Sequence, residues 1–305
     1  KKTTAEAEIE KEKLNVDMYA LNSRVNDLYF GILLLDEQLK QNALLQDELE
    51  RNYRQITAYV ENGIANQADL DAVKVEQLNT KQKRVELVSS RMAYLKMLSL
   101  LVGEKLSQET VLEKPVPQDD ISAVGEIRRP ELSLFNAQGV GLQVQEKALN
   151  VRHLPQFGLF VQGAYGNPGL NMLKNEFSPY YIAGVRLSWN FGSLYTLKND
   201  RKVIENKRRQ LDNNRDVFLF NTRLEMTQQD QAIQSLEKQM QDDDEIIRLR
   251  TNIRKSAEAK VANGTLTVTE MLRELTNESL ARQSKALHEI QRLMGIYQLK
   301  YTTND

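Results

Sequence analysis

His153 and His288 are the only histidines in the 305 residues, and they lie too far apart to suggest a ligand spacing. Both read as surface or packing residues. Cysteine is absent, so there is neither a disulfide framework nor a thiolate metal site. Its absence also suits an oxidising compartment such as the periplasm. The acidic run Asp242-Asp243-Asp244-Glu245 reads as a solvated helix face rather than a metal site. No Gly-rich phosphate loop, nucleophile elbow or zinc motif occurs, so the sequence offers no catalytic, cofactor or metal residues, and an enzyme has no positive support. A net charge of −1, with 27% charged and 41% hydrophobic residues, gives no basic face for nucleic acid. What remains is a recurrent pair of acids, Asp69 and Glu270, each six residues beyond a glycine, Gly63 or Gly264. The plain account of both is an acid near a helix N-terminus, favoured by the helix dipole.

The elements that position these residues are long helices. Gly and Pro number only 14 and 6 and are clustered, which leaves long unbroken stretches. Leu14, Met18, Leu21, Val25, Leu28, Ile32, Leu35 and Leu39 recur at alternating gaps of four and three, a heptad seam. Asn42 and Gln46 interrupt it, and Leu49, Tyr53, Ile56 and Val60 resume it. Such a helix would run roughly 90 Å and must bury its stripe against other helices. Asn62-Gly63 ends it, because Gly supplies the left-handed conformation that turns a chain back. The pattern restarts at Leu70 and Val73, giving a hairpin with a shorter return arm.

A gapless shift of 201 residues lays Val16 on Val217, Leu35 on Leu236, Val60 on Val261, Asn62 on Asn263, Gly63 on Gly264 and Arg91 on Arg292. Matching turns and return arms make this an internal repeat. The second copy carries more ahead of its long helix: a helix over about Pro130–Leu154 and two strand-like segments. By symmetry, a piece of roughly 75 residues is expected to precede Lys1 in a parent protein. The sequence opens at Lys1 with no leader pattern and reads as a mature protein or a fragment.

The two strand-like segments alternate. Phe157, Leu159, Val161, Gly163 and Tyr165 share one face of the first, and Tyr181, Ala183, Val185, Leu187, Trp189 and Phe191 one face of the second. Each has about eleven residues, the length of a tilted membrane strand. Antiparallel pairing is expected to bring Phe157 near Trp189 and Phe191, and Tyr165 near Tyr181, marking both ends of an apolar band with aromatics. A soluble hairpin packed on helices would show the same alternation. No run of about 18 apolar residues occurs, which excludes a transmembrane helix but not membrane strands.

Arg129-Pro130-Glu131-Leu132 opening a helix, Leu154-Pro155-Gln156 before a strand, the run from Tyr181 to Phe191, and the paired turns Tyr59-Val60-Glu61-Asn62-Gly63-Ile64 and Val261-Ala262-Asn263-Gly264-Thr265-Leu266 occur in an order and spacing that resembles the TolC-like outer-membrane efflux protein family. The resemblance covers nearly the whole chain, starting from the family's first long helix. It implies a mainly α fold of antiparallel coiled-coil hairpins in two internal repeats, plus one β-hairpin of a trimeric outer-membrane β-barrel. The implied divisions are a first periplasmic hairpin (1–103), an equatorial linker (104–128), a helix leading to the barrel (129–154), the membrane hairpin (155–192) and a second periplasmic hairpin (193–305).

The implied function is a passive duct of a tripartite efflux or type I secretion system, in the outer membrane with a periplasmic helical domain. Its partners would be two further copies, a periplasmic adaptor (membrane fusion protein), an inner-membrane transporter and outer-membrane lipid. No cofactor is implied. Gly63, Ile64, Gly264, Thr265 and Leu266 would face the adaptor, although good turn chemistry alone explains the glycines. Asp69 and Glu270 would form an acidic ring at the periplasmic mouth, or simply start their helices. Where the family often has a further acid, this chain has Arg273. Phe157, Tyr165, Tyr181, Trp189 and Phe191 would form the lipid-facing girdle, with Arg186, Ser188 and Asn190 on the polar face toward a lumen or solvent. Three such chains would supply six strands where the family has twelve, so on its own the chain is expected to be a monomer or a non-native oligomer. The alternative from another class is a soluble coiled-coil scaffold or periplasmic adaptor, whose β-rich flanking domains are not evident.

Overall fold

The structure, a computed structural model, describes residues 2–116, 126–152, 154–173 and 175–304; His153 and residues 117–125 of the expected linker lie outside them. The described elements are α1 (Lys2–Glu61), α2 (Gln67–Val102), α3 (Pro130–Arg152), β1 (Gln156–Gly166), β2 (Ser178–Ser188), α4 (Gly192–Ala262) and α5 (Val268–Thr303). They divide into two compact units: Lys1–Asn15 with Pro130–Phe218, and Val16–Arg129 with Leu219–Asp305.

The larger unit holds α2, α5 and most of α1 and α4. Its core is built by α1 presenting two stripes. Leu28 and Ile32, from the heptad seam, pack on Leu95 and Leu98 of α2. Phe30 and Leu33 pack on Ile290 and Leu293 of α5, with Tyr29, Met294 and Tyr297 around them. The single seam read from sequence is thus one of two apolar faces. Outgoing arms of 60 and 71 residues are each answered by a return arm of 36. At the turn end all four helices contribute to one cluster: Leu49 and Ile56, Val73, Ala257 and Val261, and Val268, Met271, Leu272 and Leu275.

Polar residues that break the stripes are used between helices. Asn42 and Gln46 both donate to the Thr80 carbonyl, at 3.1 and 3.3 Å, so the interruption in the seam is where α1 is hydrogen-bonded to α2. Arg91 is buried and pairs with Asp36 while donating to the carbonyls of Gln108 (2.8 Å) and Thr110 (2.7 Å), which pins the chain after α2 back onto the hairpin. The segment entering α3 is tied to the end of α5. Arg128 N–H donates to Thr303 O (2.8 Å), Asn304 donates to Arg128 O (2.9 Å), and the Arg129 guanidinium lies over the Tyr19 and Tyr301 rings.

The acidic run is not a uniformly solvated face, because Asp243 is buried and meets His288 Nδ1 at 2.9 Å. A helix turns its residues through all sides within four positions, so four successive acids cannot share one exposure. Asp244 and Glu245 point outward to Lys285 and Arg248.

In the smaller unit α3 packs closely on the start of α1. A Cβ at buried Gly141 would lie 2.9 Å from Ile9 Cδ1, so a larger residue there would push the Ile9 side chain aside. On its α4 side, α3 is joined by Glu146–Arg208 (2.7 Å), Asn150–Arg201 (2.8 Å) and the Phe135–Phe218 ring pair. Strands β1 and β2 form a two-stranded antiparallel sheet from Gln156↔Ser188 to Gly166↔Ser178. Phe157 pairs with Leu187 and Tyr165 with Pro179, a two-residue offset from the expected partners. Trp189 and Tyr181 therefore take the diagonal places. An even offset keeps every side chain on its expected face, because the side-chain period is two.

Candidate functional site

The two turns of the larger unit are built alike. After α1, Gly63 N–H donates to Val60 O (3.1 Å) and Ile64 N–H to Tyr59 O (2.8 Å), while Asn62 Nδ2 donates to Ala58 O (2.7 Å). After α4, Gly264 N–H donates to Val261 O (2.9 Å), Thr265 N–H to Lys260 O (2.9 Å), and Asn263 Nδ2 to Ala259 O (2.8 Å). Both are Schellman closures, with φ of 72° at Gly63 and 69° at Gly264. No atom would crowd a Cβ at either glycine, so the requirement is conformational alone.

Three residues on, the next helices begin with matching capping boxes. Asn66 Oδ1 accepts from Asp69 N–H (3.1 Å) and Asp69 Oδ2 accepts from Asn66 N–H (3.1 Å). Thr267 Oγ1 accepts from Glu270 N–H (3.2 Å), and Glu270 Oε2 accepts from Thr267 N–H (3.2 Å) and its hydroxyl (2.9 Å). The Glu270 carboxyl is held below its usual range by the Thr267 hydroxyl first, then the Thr267 N–H, with Arg273 adding attraction. Each acid is thus bound to its own helix start, the arrangement that satisfies free N–H groups there.

The tip residues differ in burial. Ile64 is exposed, whereas Leu266 is half-buried against the four-helix cluster, as is Ala65 at the equivalent place in the first turn. Behind the tips lies an ionic cluster that no motif announces. Glu278 of α5 is 5% exposed and accepts from Arg282 (2.6 Å) and Thr251 (2.8 Å), and it pairs with Arg254 of α4. Arg254 also meets Glu258, and Glu48 of α1 at 2.9 Å. Burial alone would raise the Glu278 carboxyl, but hydrogen bonds from Arg282, Thr251 and Arg254 outweigh it and hold it below the ordinary value. Burial would likewise lower Arg254, and its three carboxylate neighbours raise it instead. In sequence these residues look like surface i,i+4 pairs; burial comes from α1, far away in the chain.

In the strand pair the apolar face is exposed. Leu159 is 87%, Val161 78% and Tyr181 79% accessible, and Phe157, Tyr165, Val185 and Leu187 share that face. Aromatics gather at both ends of the ladder. Trp189 lies against Phe191 with ring centroids 4.3 Å apart, and Tyr165 stacks on Phe177 at 5.7 Å. Phe177 belongs to the connection between the strands and was missed from sequence because it falls outside the alternation. On the opposite face, Phe160 covers Gly184, and Arg186 lies 5.5 Å from the Phe160 centroid. No helix is long and apolar enough to cross a membrane, and no cluster of metal-ligating side chains occurs, among the described residues.

No protein-family profile and no curated protein matches the sequence. Solved structures do match. The outer-membrane channel OprN superposes with a TM-score of 0.78 at 12% identity, over 99% of this chain and 70% of that one. The CmeC outer-membrane channel of Campylobacter jejuni gives 0.79 at 12% identity, over 99% and 66%. The outer-membrane protein VceC of Vibrio cholerae gives 0.77 at 13% identity, over 99% and 73%. The chain thus spans 66–73% of the length of these proteins. Almost every element described above has a counterpart in them, and the chain has the fold of these outer-membrane channels.

Proposed function

We propose that this chain is the larger part of an outer-membrane duct of a tripartite efflux or type I secretion system, conducting passively across periplasm and outer membrane. The observation that carries this reading is the strand pair. Eleven-residue strands with one fully exposed apolar face and aromatics at both ends suit lipid, and such a pair is marginal in water by itself. Both of its outer edges carry unpaired backbone groups, which closure with further strands would satisfy. In the complete protein, three copies related by a threefold axis, each adding further strands to this pair, would close a barrel and place the α1–α2 and α4–α5 hairpins around a tunnel. The solved channels with this fold support that reading. Energy for export would come from an inner-membrane transporter, reached through a periplasmic adaptor at the Gly63–Ile64 and Gly264–Leu266 tips.

The test uses the complete protein that contains this chain, expressed in a Gram-negative host. It is expected in the outer-membrane fraction, as a trimer in mild detergent, and to open ohmic channels in planar bilayers. Recovery as a soluble periplasmic species, with no conductance from the detergent-purified protein, would overturn the reading.

A further inference from the structure

Arg186 is the one charged residue in β1 and β2: neither strand contains an acid or a second base. It lies on the face opposite Leu159, Val161, Tyr181 and Val185, the exposed apolar set. A charge on that apolar face would be costly in lipid, whereas the other face of a barrel strand meets water. Its position is also prepared. Gly184 pairs directly with Phe160, and the ring lies over the glycine so closely that a Cβ there would be 3.0 Å from two ring carbons. The guanidinium of Arg186 then rests on the same ring at 5.5 Å, which fixes the cation by a cation–π contact while its hydrogen-bond donors remain on an exposed side chain. In the connection between the strands, Lys174 and Glu176 cancel, so the hairpin's net charge is that of Arg186.

From this placement we infer that Arg186 sets the charge preference of the membrane section of the duct, favouring anionic over cationic solutes. The inference rests on the duct reading above, since it needs the polar face to line a lumen. Related copies would each contribute one such cation at the same depth. A ring of fixed positive charge attracts anions and repels cations passing it. In a wide lumen the effect is screened over a Debye length of about 10 Å at 0.1 M salt and about 3 Å at 1 M. The preference must therefore grow as salt is lowered, which a purely steric filter would not show.

The experiment measures reversal potentials in planar bilayers under a KCl gradient, at about 0.1 M and about 1 M mean salt, for the complete wild-type protein and for R186K, R186Q and R186E. Wild type and R186K are expected to prefer chloride at low salt. R186Q should lower the anion-to-cation permeability ratio by about twofold and R186E should lower it further, with the differences shrinking at high salt. R186K separates loss of charge from loss of the guanidinium stack. Conducting channels whose reversal potential is the same in wild type, R186Q and R186E at low salt would overturn the inference and leave the duct reading intact. Absence of channels from all four proteins would refute the duct reading, and this inference with it.

Discussion

At Gly63 and Gly264 the side chain is excluded by φ rather than by space. Replacing either with Ala should cost about 1–2 kcal/mol, the penalty for a Cβ in left-handed backbone, with Asn costing less. Urea midpoints of the variants check this. Glu278 makes a stronger prediction. Removing it as Glu278→Ala leaves half-buried Arg254 with Glu48 and Glu258 only, and should cost about 2 kcal/mol, the scale of hydrogen bonds to a charged group. Its folded-state carboxyl lies below the ordinary value of 4.5, so its stabilisation is complete above that value and is lost as pH falls through the lower folded value. Wild-type stability should therefore drop below about pH 4.5 by more than that of Glu278→Gln, measured by urea unfolding across that range. The glycines were legible in the sequence because Asn-Gly carries its own turn chemistry. Glu278 was not, because four residues before Arg282 it looks like any surface helix pair, and only α1 and α4 bury it. Asp243 escaped for the same reason.

Among the elements, the helices were the most legible. A heptad running from Leu14 to Leu39 names its own period, and both turns fell where glycine ended the long arms. The second apolar stripe on α1 was not read, since Phe30 and Leu33 are meaningful only once α5 lies beside that face. The strands were read with the right faces and an offset register, because alternation fixes the face while the turn fixes the pairing. Trp189, the sole tryptophan, reports on this element directly. It is half-exposed beside Phe191 at one end of the ladder. Transfer of the chain from aqueous buffer to phospholipid vesicles or mild detergent should shift its emission to shorter wavelength. An unchanged spectrum, with Trp189→Phe as the blank, would mean that the strand pair does not enter an apolar phase.

Across the whole molecule, buried apolar residues are unevenly distributed. Among the described residues, the larger unit holds all three buried clusters, whereas in the smaller unit α3 buries Gly141 alone and the strands bury nothing. Hydrogen exchange in detergent-free buffer should therefore be slowest at Ile56, Val73, Val261 and Met271–Leu275, and faster by at least about tenfold through β1 and β2. Protection of the strands equal to that of the tip core would contradict this. The likeness to OprN, CmeC and VceC at 12–13% identity shows how little sequence this fold prescribes: a period, two turns and an alternation suffice.

The two tips share a backbone but not an anchorage. The first turns of α5 place Val268, Met271 and Leu272 in the core, whereas α2 offers half-buried Leu70 before Val73. Fewer buried residues hold the start of α2 than the start of α5, so local opening at that end is expected to begin at the α1–α2 turn.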